Sequence, residues 1–312
     1  MIKSRPKSKP THTAPVPRST TRSGPTPRSA SVAKSPLNNP YSQFGATVDL
    51  PNHGHFMMIY GEAGFGKTSL AAQFEKPLFV ITHGEHGIYH LKEKDVVPKD
   101  IPVVELAPLF TDKEIRKHQF HPGWEKAIDI LEKFAAGGHD RQTLVYDTTS
   151  GLESLCYQHG ACKLYGGDMD CDKYADFMRG YAKSGEKFWK PEFIDGCLKC
   201  AAAGYDVILL AHCNSTSREA NLAGKDFDRF LPDLQKAVWK YTKKDLQALL
   251  FLGERIHVEK MKGKEKPMSK VRFVGVCNET WYFAKNWRNL STEIDQGTTP
   301  KETYKNIHSK LF

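Results

Sequence analysis

The chain has 312 residues and a formal net charge of +9, of which +8 comes from residues 1–48. That segment holds eight lysines and arginines and no acidic residue, so the remainder is almost neutral, with 37 basic and 36 acidic side chains. No apolar run approaches the roughly 18 residues of a membrane span, and no signal-peptide core is present, so we expect neither a membrane protein nor a secreted one. The seven scattered cysteines indicate a reducing compartment, and we expect a cytoplasmic protein.

Residues 1–48 form a basic segment rich in proline, serine and threonine. Because it has few large apolar side chains, it cannot bury enough surface to offset its chain entropy, and we predict a disordered tail. Its frequent prolines argue against the amphipathic helix of a transit peptide. Weak electrostatic binding of nucleic acid and an inert solvated extension both remain open for this tail.

From about residue 49 the sequence alternates between apolar strand-like runs and amphipathic helical runs. One helix is marked by Trp124, Ile128, Leu131 and Ala135 on a single face and ends at Gly137. A second is predicted between residues 186 and 203. The predicted strands are Phe56–Tyr60, Leu78–Ile81, Pro102–Leu106, Thr143–Tyr146 and Val207–Leu210. Apolar strands separated by helices predict an α/β fold with a mostly parallel sheet covered on both faces.

The pattern changes after about residue 234, where apolar runs follow each other closely across short polar links. These runs are Leu249–Leu252, Ile256–Val258, Val271–Val274 and Thr280–Phe283. They predict antiparallel strands that extend the same sheet at the C-terminal end of the domain. We therefore expect one globular domain over residues 49–295, followed by a C-terminal tail over residues 296–312.

A glycine-rich loop between the first strand and a helix matches the pattern G-x-x-x-x-G-K-[ST] in full. Such a loop turns its backbone amides inward around an anion, and the following helix adds its positive dipole end. Lys67 is expected to reach the β- and γ-phosphates of ATP, and the Thr68 hydroxyl to ligate Mg²⁺. The predicted nucleotide-binding residues are Gly61, Glu62, Ala63, Gly64, Phe65, Gly66, Lys67, Thr68 and Ser69.

Three polar residues follow other strands at the edge where open α/β sheets place their ligands. Asp147 suits a second Mg²⁺ anchor, and Glu85 suits a base that polarises the attacking water. His212 could touch the γ-phosphate and sense its loss. The alternatives are an aspartate that caps a turn, a plain loop glutamate and a histidine that caps its strand.

These strand ends resemble those of the RecA-like core ATPases, and most of all the short phage-type members, a group that includes single-strand annealing proteins. The resemblance covers roughly residues 54–292. The segments that carry it are Thr82-His83-Gly84-Glu85-His86-Gly87, Tyr146-Asp147-Thr148-Thr149-Ser150-Gly151-Leu152, Leu209-Leu210-Ala211-His212 and Phe283-Ala284-Lys285-Asn286-Trp287-Arg288. A phage-encoded member would work in the cytoplasm of a bacterial host.

The resemblance implies that Glu85 is the general base, Asp147 the metal anchor and His212 the γ-phosphate sensor. It also implies that Lys285 and Arg288 reach a neighbouring subunit's nucleotide as paired fingers, which requires a ring or filament. The family form is an unbroken Lys-Asn-Arg, whereas Trp287 intervenes here. This departure favours Lys285 over Arg288. Surface charges at a strand end are the alternative for both.

In RecA-like proteins the loops after the Asp strand and after the sensor strand face DNA, and both are long in this sequence. The first, residues 156–186, mixes basic residues with Tyr165, Tyr174 and Tyr181, which could stack on bases, and it also contains four aspartates. The second is the polar stretch Asn214–Pro232. A third candidate, residues 260–266, is a basic hairpin tip or a solvated turn. Together with the resemblance, these stretches predict single-stranded DNA as a partner.

The function predicted from the sequence is an ATP-binding and ATP-hydrolysing RecA-like protein that acts on single-stranded DNA in phage-type recombination, annealing or replication. One alternative is a binding module that ATP orders with little turnover. Another is a P-loop small-molecule kinase, which needs an arginine-rich lid, whereas residues 150–225 offer only Arg179 and Arg218.

Overall fold

A computed structural model describes residues 53–220, 226–261 and 264–312. The predicted tail over residues 1–48 lies outside these ranges. The described ranges contain ten strands: β1 (Phe56–Gly61), β2 (Pro77–Ile81), β3 (Val103–Glu105), β4 (Thr143–Asp147), β5 (Asp206–Ala211), β6 (Cys213–Ala220), β7 (Asp226–Pro232), β8 (Ala248–Met261), β9 (Lys264–Gly275) and β10 (Ile294–Asp295).

Eight strands form one sheet in the order β10-β9-β8-β1-β5-β4-β2-β3. The pairs from β8 to β3 are parallel, whereas β8–β9 and β9–β10 are antiparallel. Strands β6 and β7 form a separate antiparallel hairpin. The predicted α/β fold with a mostly parallel sheet and an antiparallel C-terminal extension is therefore confirmed.

Helices lie between the strands, and a final helix follows β10. They are α1 (Lys67–Ala71), α2 (Gly87–Glu93), α3 (Asp112–Ile115), α4 (Pro122–Ala136), α5 (Thr149–Tyr165), α6 (Asp172–Ala175), α7 (Arg179–Ser184), α8 (Asp195–Ala202), α9 (Lys236–Asp245) and α10 (Pro300–Leu311). A π-helix over Gly185–Ile194 joins α7 to α8. In the part of the chain that the structure describes, no helix combines the length and the apolar character that crossing a bilayer demands.

The central strands are buried on both faces, and alternate side chains of β1 enter two different cores. Met58 and Tyr60 lie in a core with Trp124, Trp189 and Phe193. On the other face, β1 contributes Met57 and Ile59 to a core that also holds Leu70, Phe79 and Ile307. This alternation follows from the two-residue period of a strand. It fixes the register of β1 and hence the position of the glycine loop that follows it.

The C-terminal extension differs in detail from the predicted set of four short strands. Leu249–Leu252 and Ile256–Val258 belong to one continuous strand, β8, whose first residues pair in parallel with β1. Thr280–Phe283 is not a strand: it is an irregular segment with bends at Thr280 and Trp281 and an isolated bridge between Tyr282 and Phe230. The polar link within β8 had suggested a turn, but pairing with β9 continues through it.

Residues 296–312, predicted as a tail, instead contain helix α10. Thr299 caps its N-terminus by accepting a hydrogen bond from the Glu302 amide at 3.1 Å, and Pro300 occupies the first helical position. Ile307 and Leu311 are four residues apart on one face and are fully buried in the second core. The folded unit therefore extends beyond residue 295.

Candidate nucleotide site

The glycine loop connects β1 to α1 at the carboxyl edge of the sheet. Gly64 and Gly66 have φ angles of 84° and 88°, a left-handed conformation that glycine adopts without steric cost. Gly66 is the N-cap of α1, so Lys67 and Thr68 open the helix. Glu62, Ala63 and Gly64 form the exposed tip of the loop, and Ser69 lies in the first turn of α1.

Lys67 lies beneath the loop and is largely buried. Its Nζ donates hydrogen bonds to the main-chain oxygens of Gly61 at 2.8 Å and Glu62 at 2.9 Å. Burial lowers the pKa of Lys67, and the nearby Asp147 carboxylate acts in the opposite direction. The ammonium group is thus held at the base of the loop by two main-chain oxygens.

Asp147 ends β4 and faces Thr68. The Thr68 hydroxyl donates a hydrogen bond to Asp147 Oδ2 at 2.9 Å, and Asp147 is only 4% exposed. Burial raises the pKa of Asp147 to about 6, while the Thr68 hydrogen bond acts to lower it. The described residues contain no cluster of three or more His, Cys, Asp or Glu side chains suited to a metal ion. One carboxylate and one hydroxyl nevertheless fit Mg²⁺, which takes its remaining ligands from phosphates and water.

Glu85 and His212 meet beside this pair. Strand β5, which ends one residue before His212, lies between β1 and β4 and thus brings His212 between the loop and Asp147. His212 Nε2 lies 3.3 Å from Glu85 Oε1, and the Thr148 hydroxyl lies 3.5 Å from the same oxygen. The hydrogen bond with His212 is the main reason that the pKa of Glu85 is lowered. Glu85 is therefore a carboxylate at neutral pH.

Hydrogen bonds join the carboxyl ends of β2 and β4, beside Asp147 and three residues before Glu85. The Thr82 amide donates to Asp147 O at 2.8 Å, and the Thr148 amide donates to Thr82 Oγ1 at 3.3 Å. Helix α5 approaches so closely that a Cβ atom on Gly151 would lie 2.4 Å from Thr82 Oγ1. Thr82, Thr148 and Gly151 were not predicted as site residues, although Thr148 and Gly151 lie within five residues of Asp147.

Gln296 also contacts the loop and was not predicted, because it lies in the assumed tail. Its side-chain amide donates to the main-chain oxygen of Phe65 at 2.9 Å, and it is 7% exposed. The guanidinium of Arg272 lies over the Phe65 ring at 5.4 Å. The C-terminal part of the chain thus supports the loop from outside the strand–loop–helix unit.

Lys285 and Arg288 do not join this site. Lys285 pairs with Leu249 near the start of β8, and its Nζ donates to the main-chain oxygen of Lys243 at 2.7 Å. Arg288 donates to the main-chain oxygen of Phe312 at 3.0 Å. The intervening Trp287 stacks on His55, which precedes β1, at 4.5 Å. These residues therefore lie at the amino ends of the parallel strands, opposite the glycine loop.

The loop after Asp147 is mostly helical, and its tyrosines are packed rather than available to bases. Tyr174 is fully buried, and the rings of Tyr165 and Tyr181 each contact it at 5.1 Å. The prediction that these tyrosines stack on DNA is not supported by their positions. The stretch Asn214–Pro232 forms the β6–β7 hairpin, and residues 260–266 end β8 and begin β9. Residues 221–225 and 262–263 lie outside the described part of both stretches.

The parallel sheet, the glycine loop on α1 and the Thr68–Asp147 pair define a P-loop NTPase fold. A family model described as "AAA domain" matches residues 53–291. The chain therefore belongs to this AAA domain family. Among solved structures, it is similar to the flagellar accessory protein FlaH from Methanocaldococcus jannaschii, with 10% identity over 74% of this chain and 80% of that chain and a TM-score of 0.34. The search of curated proteins found no match.

Proposed function

We propose that this protein hydrolyses ATP and acts on single-stranded DNA, as a RecA-like ATPase of phage or mobile-element type that serves recombination, annealing or replication. The observation that carries hydrolysis is the position of Glu85. Its carboxylate contacts His212 and Thr148 beside the Thr68–Asp147 pair. Nucleotide binding alone does not need a second carboxylate at this edge, whereas attack by water needs a base there.

In this proposal Glu85 accepts a proton from the water that attacks the γ-phosphorus. The bond between the γ-phosphorus and the β–γ bridging oxygen breaks, and ADP and inorganic phosphate leave. Lys67 balances negative charge on the β- and γ-phosphate oxygens. His212 contacts Glu85 Oε1 and directly follows β5, so a movement of His212 when the γ-phosphate is lost would pass to this strand. When bound by Thr68 and Asp147, Mg²⁺ supplies further positive charge next to the phosphates.

We also propose self-association into a ring or filament. Lys285 and Arg288 lie at the amino ends of the strands, so within one chain they are remote from the glycine loop. A role for them in hydrolysis therefore requires that they act on a neighbour's nucleotide. Because Trp287 interrupts the Lys-Asn-Arg element and displaces Arg288 by one position, Lys285 is the better candidate for this finger.

The test is ATP hydrolysis measured with and without single-stranded DNA for the wild type, Lys67→Ala and Glu85→Gln. We expect DNA-stimulated turnover in the wild type and none in Lys67→Ala, which loses nucleotide binding. Glu85→Gln should bind ATP and lose turnover. A wild type that binds ATP with no turnover, with or without DNA, would contradict the proposal and favour a binding module. Phosphate transfer to a small molecule in place of water would favour a kinase.

A further inference from the structure

The segment between α6 and α7 exposes an aromatic side chain at a strained turn. Phe177 and Met178 are consecutive non-glycine residues with φ angles of 51° and 58°. This left-handed conformation is disfavoured for residues with a β-carbon. The turn holds Phe177 90% exposed, and Met178 is also exposed. An aromatic ring held in water by a strained backbone is better placed to bind a partner than to support the fold.

Helix α9 lies beside this turn and presents a row of lysines. Lys236, Lys240 and Lys243 follow each other at intervals of four and three residues, so they share one face, and all three are exposed. The opposite face is anchored in the core: Val238 and Thr242 are buried, and the Thr242 hydroxyl accepts a hydrogen bond from Trp189 Nε1 at 2.9 Å. The lysine row is therefore held in a fixed direction.

Two adjoining cavities connect the turn and the helix. One, of about 420 Å³, is lined by Phe177, Met178, Tyr181, Lys236 and Lys240, among others. The other, of about 790 Å³, is lined by the same two lysines, Lys243, Trp239 and Asp233, among others. We call this continuous surface the α9 groove. Among the described residues that line it are the aromatic side chains of Phe177 and Trp239, three lysines and one carboxylate, that of Asp233.

The floor of the α9 groove is bonded to the nucleotide site. The Asp233 amide donates to the main-chain oxygen of His212 at 2.9 Å. The Ser150 hydroxyl, three residues after Asp147, donates to Asp233 O at 2.7 Å. The Gln235 amide donates to the buried carboxylate of Glu153 at 2.9 Å. Residues 233–235, which lead into α9, thus touch both the strand end with His212 and the helix after Asp147.

We propose that the α9 groove binds single-stranded DNA and that residues 233–235 couple its occupancy to His212. The lysine row neutralises backbone phosphates, and Phe177 and Trp239 stack on bases. A single strand fits better than a duplex because its bases expose their faces. This inference rests on the proposed function and names the surface on which the DNA acts.

The experiment measures binding of a fluorescent oligo(dT) of about 30 nucleotides, longer than one typical single-strand site, by anisotropy with the full-length protein. The variants are Phe177→Ala, Phe177→Tyr and the double variant Lys236→Glu with Lys240→Glu. Lys301→Glu, an exposed lysine on α10, is the charge control. Thermal unfolding confirms that each variant is folded.

We expect Phe177→Ala and the double variant each to weaken binding by about tenfold or more, since stacking of one base and two phosphate contacts are each worth this much. Phe177→Tyr and Lys301→Glu should bind like the wild type. In a plot of the logarithm of the binding constant against the logarithm of the salt concentration, the double variant should reduce the magnitude of the slope by about 1.4. Phe177→Ala should leave this slope unchanged. Basal ATP hydrolysis should be unchanged, and stimulation by DNA should fall in parallel with binding.

Failure of the α9 groove and failure of the proposed function give different results. If the wild type binds and responds to DNA and all variants behave like it, the groove is wrong and the proposed function stands. If the wild type hydrolyses ATP and neither binds nor responds to DNA, the α9 groove and the proposed action on single-stranded DNA are both wrong. Binding of duplex DNA as tightly as oligo(dT), with no effect of Phe177→Ala, would overturn stacking on a single strand. Oligo(U) serves as the RNA arm, and preference for it over oligo(dT) would overturn DNA as the occupant.

Discussion

The side-chain amide of Gln296 donates a hydrogen bond to the main-chain oxygen of Phe65, which lies 231 residues earlier in the chain. Gln296 is itself fixed, because its main-chain amide donates to Arg272 O at 3.3 Å and its main-chain oxygen accepts a hydrogen bond from the Thr303 hydroxyl. The phosphate loop is therefore braced by the segment that joins β10 to α10. The brace acts on Phe65, at the end of the loop that leads into α1, whereas Lys67 bonds the main-chain oxygens of Gly61 and Glu62 at the other end.

The first prediction concerns this brace. Gln296→Ala should weaken binding of Mg-ATP by about three- to tenfold, since the loss of one buried hydrogen bond costs about 1 kcal/mol. The change is measured by titration with a fluorescent ATP analogue. Asn306→Ala is the matched control: its side-chain amide also bonds a main-chain oxygen of this segment, that of Asp295, at 3.0 Å without touching the loop. Equal affinities of the two variants would show that Phe65 needs no brace.

The second prediction separates hydrolysis from binding at Glu85. Glu85→Gln should reduce turnover of ATP by about 100-fold or more, because the amide cannot take a proton from water. The affinity for ATP should change by less than about threefold. Single-turnover kinetics and equilibrium titration measure the two quantities. Glu93→Gln, on the exposed side of α2, should leave both unchanged. Turnover in Glu85→Gln near the wild-type rate would remove Glu85 from the role of base.

The third prediction follows from the pKa of about 6 at Asp147. Because Mg²⁺ binds the carboxylate and not the acid, the affinity for Mg²⁺ in the presence of ATP should fall by roughly tenfold per pH unit below pH 6. Between pH 8 and pH 6.5 it should be nearly constant as far as Asp147 is concerned. Calorimetric titration at fixed ATP measures it. An affinity that stays flat down to pH 5 would contradict the assignment of Asp147 as a ligand.

The same shift has a consequence for stability without ligand. The folded protein raises the pKa of Asp147 above its ordinary value of 3.8. This group therefore contributes stability that is full below about pH 3.8 and is lost as pH rises through about 6. At pH 7.5 Asp147→Asn should consequently raise the melting temperature by a few degrees, roughly 3 to 6 °C, while abolishing the stabilisation by Mg-ATP. A lower melting temperature for Asp147→Asn would show that the charge is compensated in the fold.

The fourth prediction tests action between subunits. Lys285→Ala and Lys67→Ala should each be inactive alone, and a mixture of the two should regain about a quarter of wild-type hydrolysis, as expected when a wild-type loop meets a wild-type Lys285 in random assemblies. Lys244→Ala, an exposed lysine on α9, should behave like the wild type. Full activity of pure Lys285→Ala, or no recovery in the mixture, would count against a finger supplied by the neighbour.

The sequence was most informative where local pattern decides the structure. Apolar runs identified β1, β4 and β5, and since parallel strands end at one edge, the meeting of Lys67, Asp147 and His212 could be predicted from their positions after those runs. The continuity of β8 could not be predicted, because the polar residues within this strand resemble a turn. Only their pairing with β9 shows that the strand continues through them. Contacts between remote segments, such as Gln296 with Phe65, leave no local pattern.

The tyrosines after Asp147 illustrate a different difficulty. Tyr174 is surrounded in sequence by charged residues, which suggests an exposed loop, yet its ring is fully buried between Tyr165 and Tyr181. Phe177, three residues later, is the exposed one. The sequence does not tell a buried tyrosine from an exposed one, because a tyrosine can bury its ring while its hydroxyl keeps a hydrogen bond. Only the packing of α5 against α7 decides which ring reaches the solvent.

The close approach of Gly151 to Thr82 gives a practical means of finding other chains built in this way. Since a β-carbon at residue 151 would meet the threonine hydroxyl at 2.4 Å, the acid that ends β4 has to be followed four positions later by glycine wherever a threonine directly follows β2. This pairing of two distant positions can be searched for alongside the phosphate loop. A chain with the loop and the acid and with a bulky residue in place of the glycine is expected to hold the counterparts of Glu85 and Asp147 at a different distance from each other.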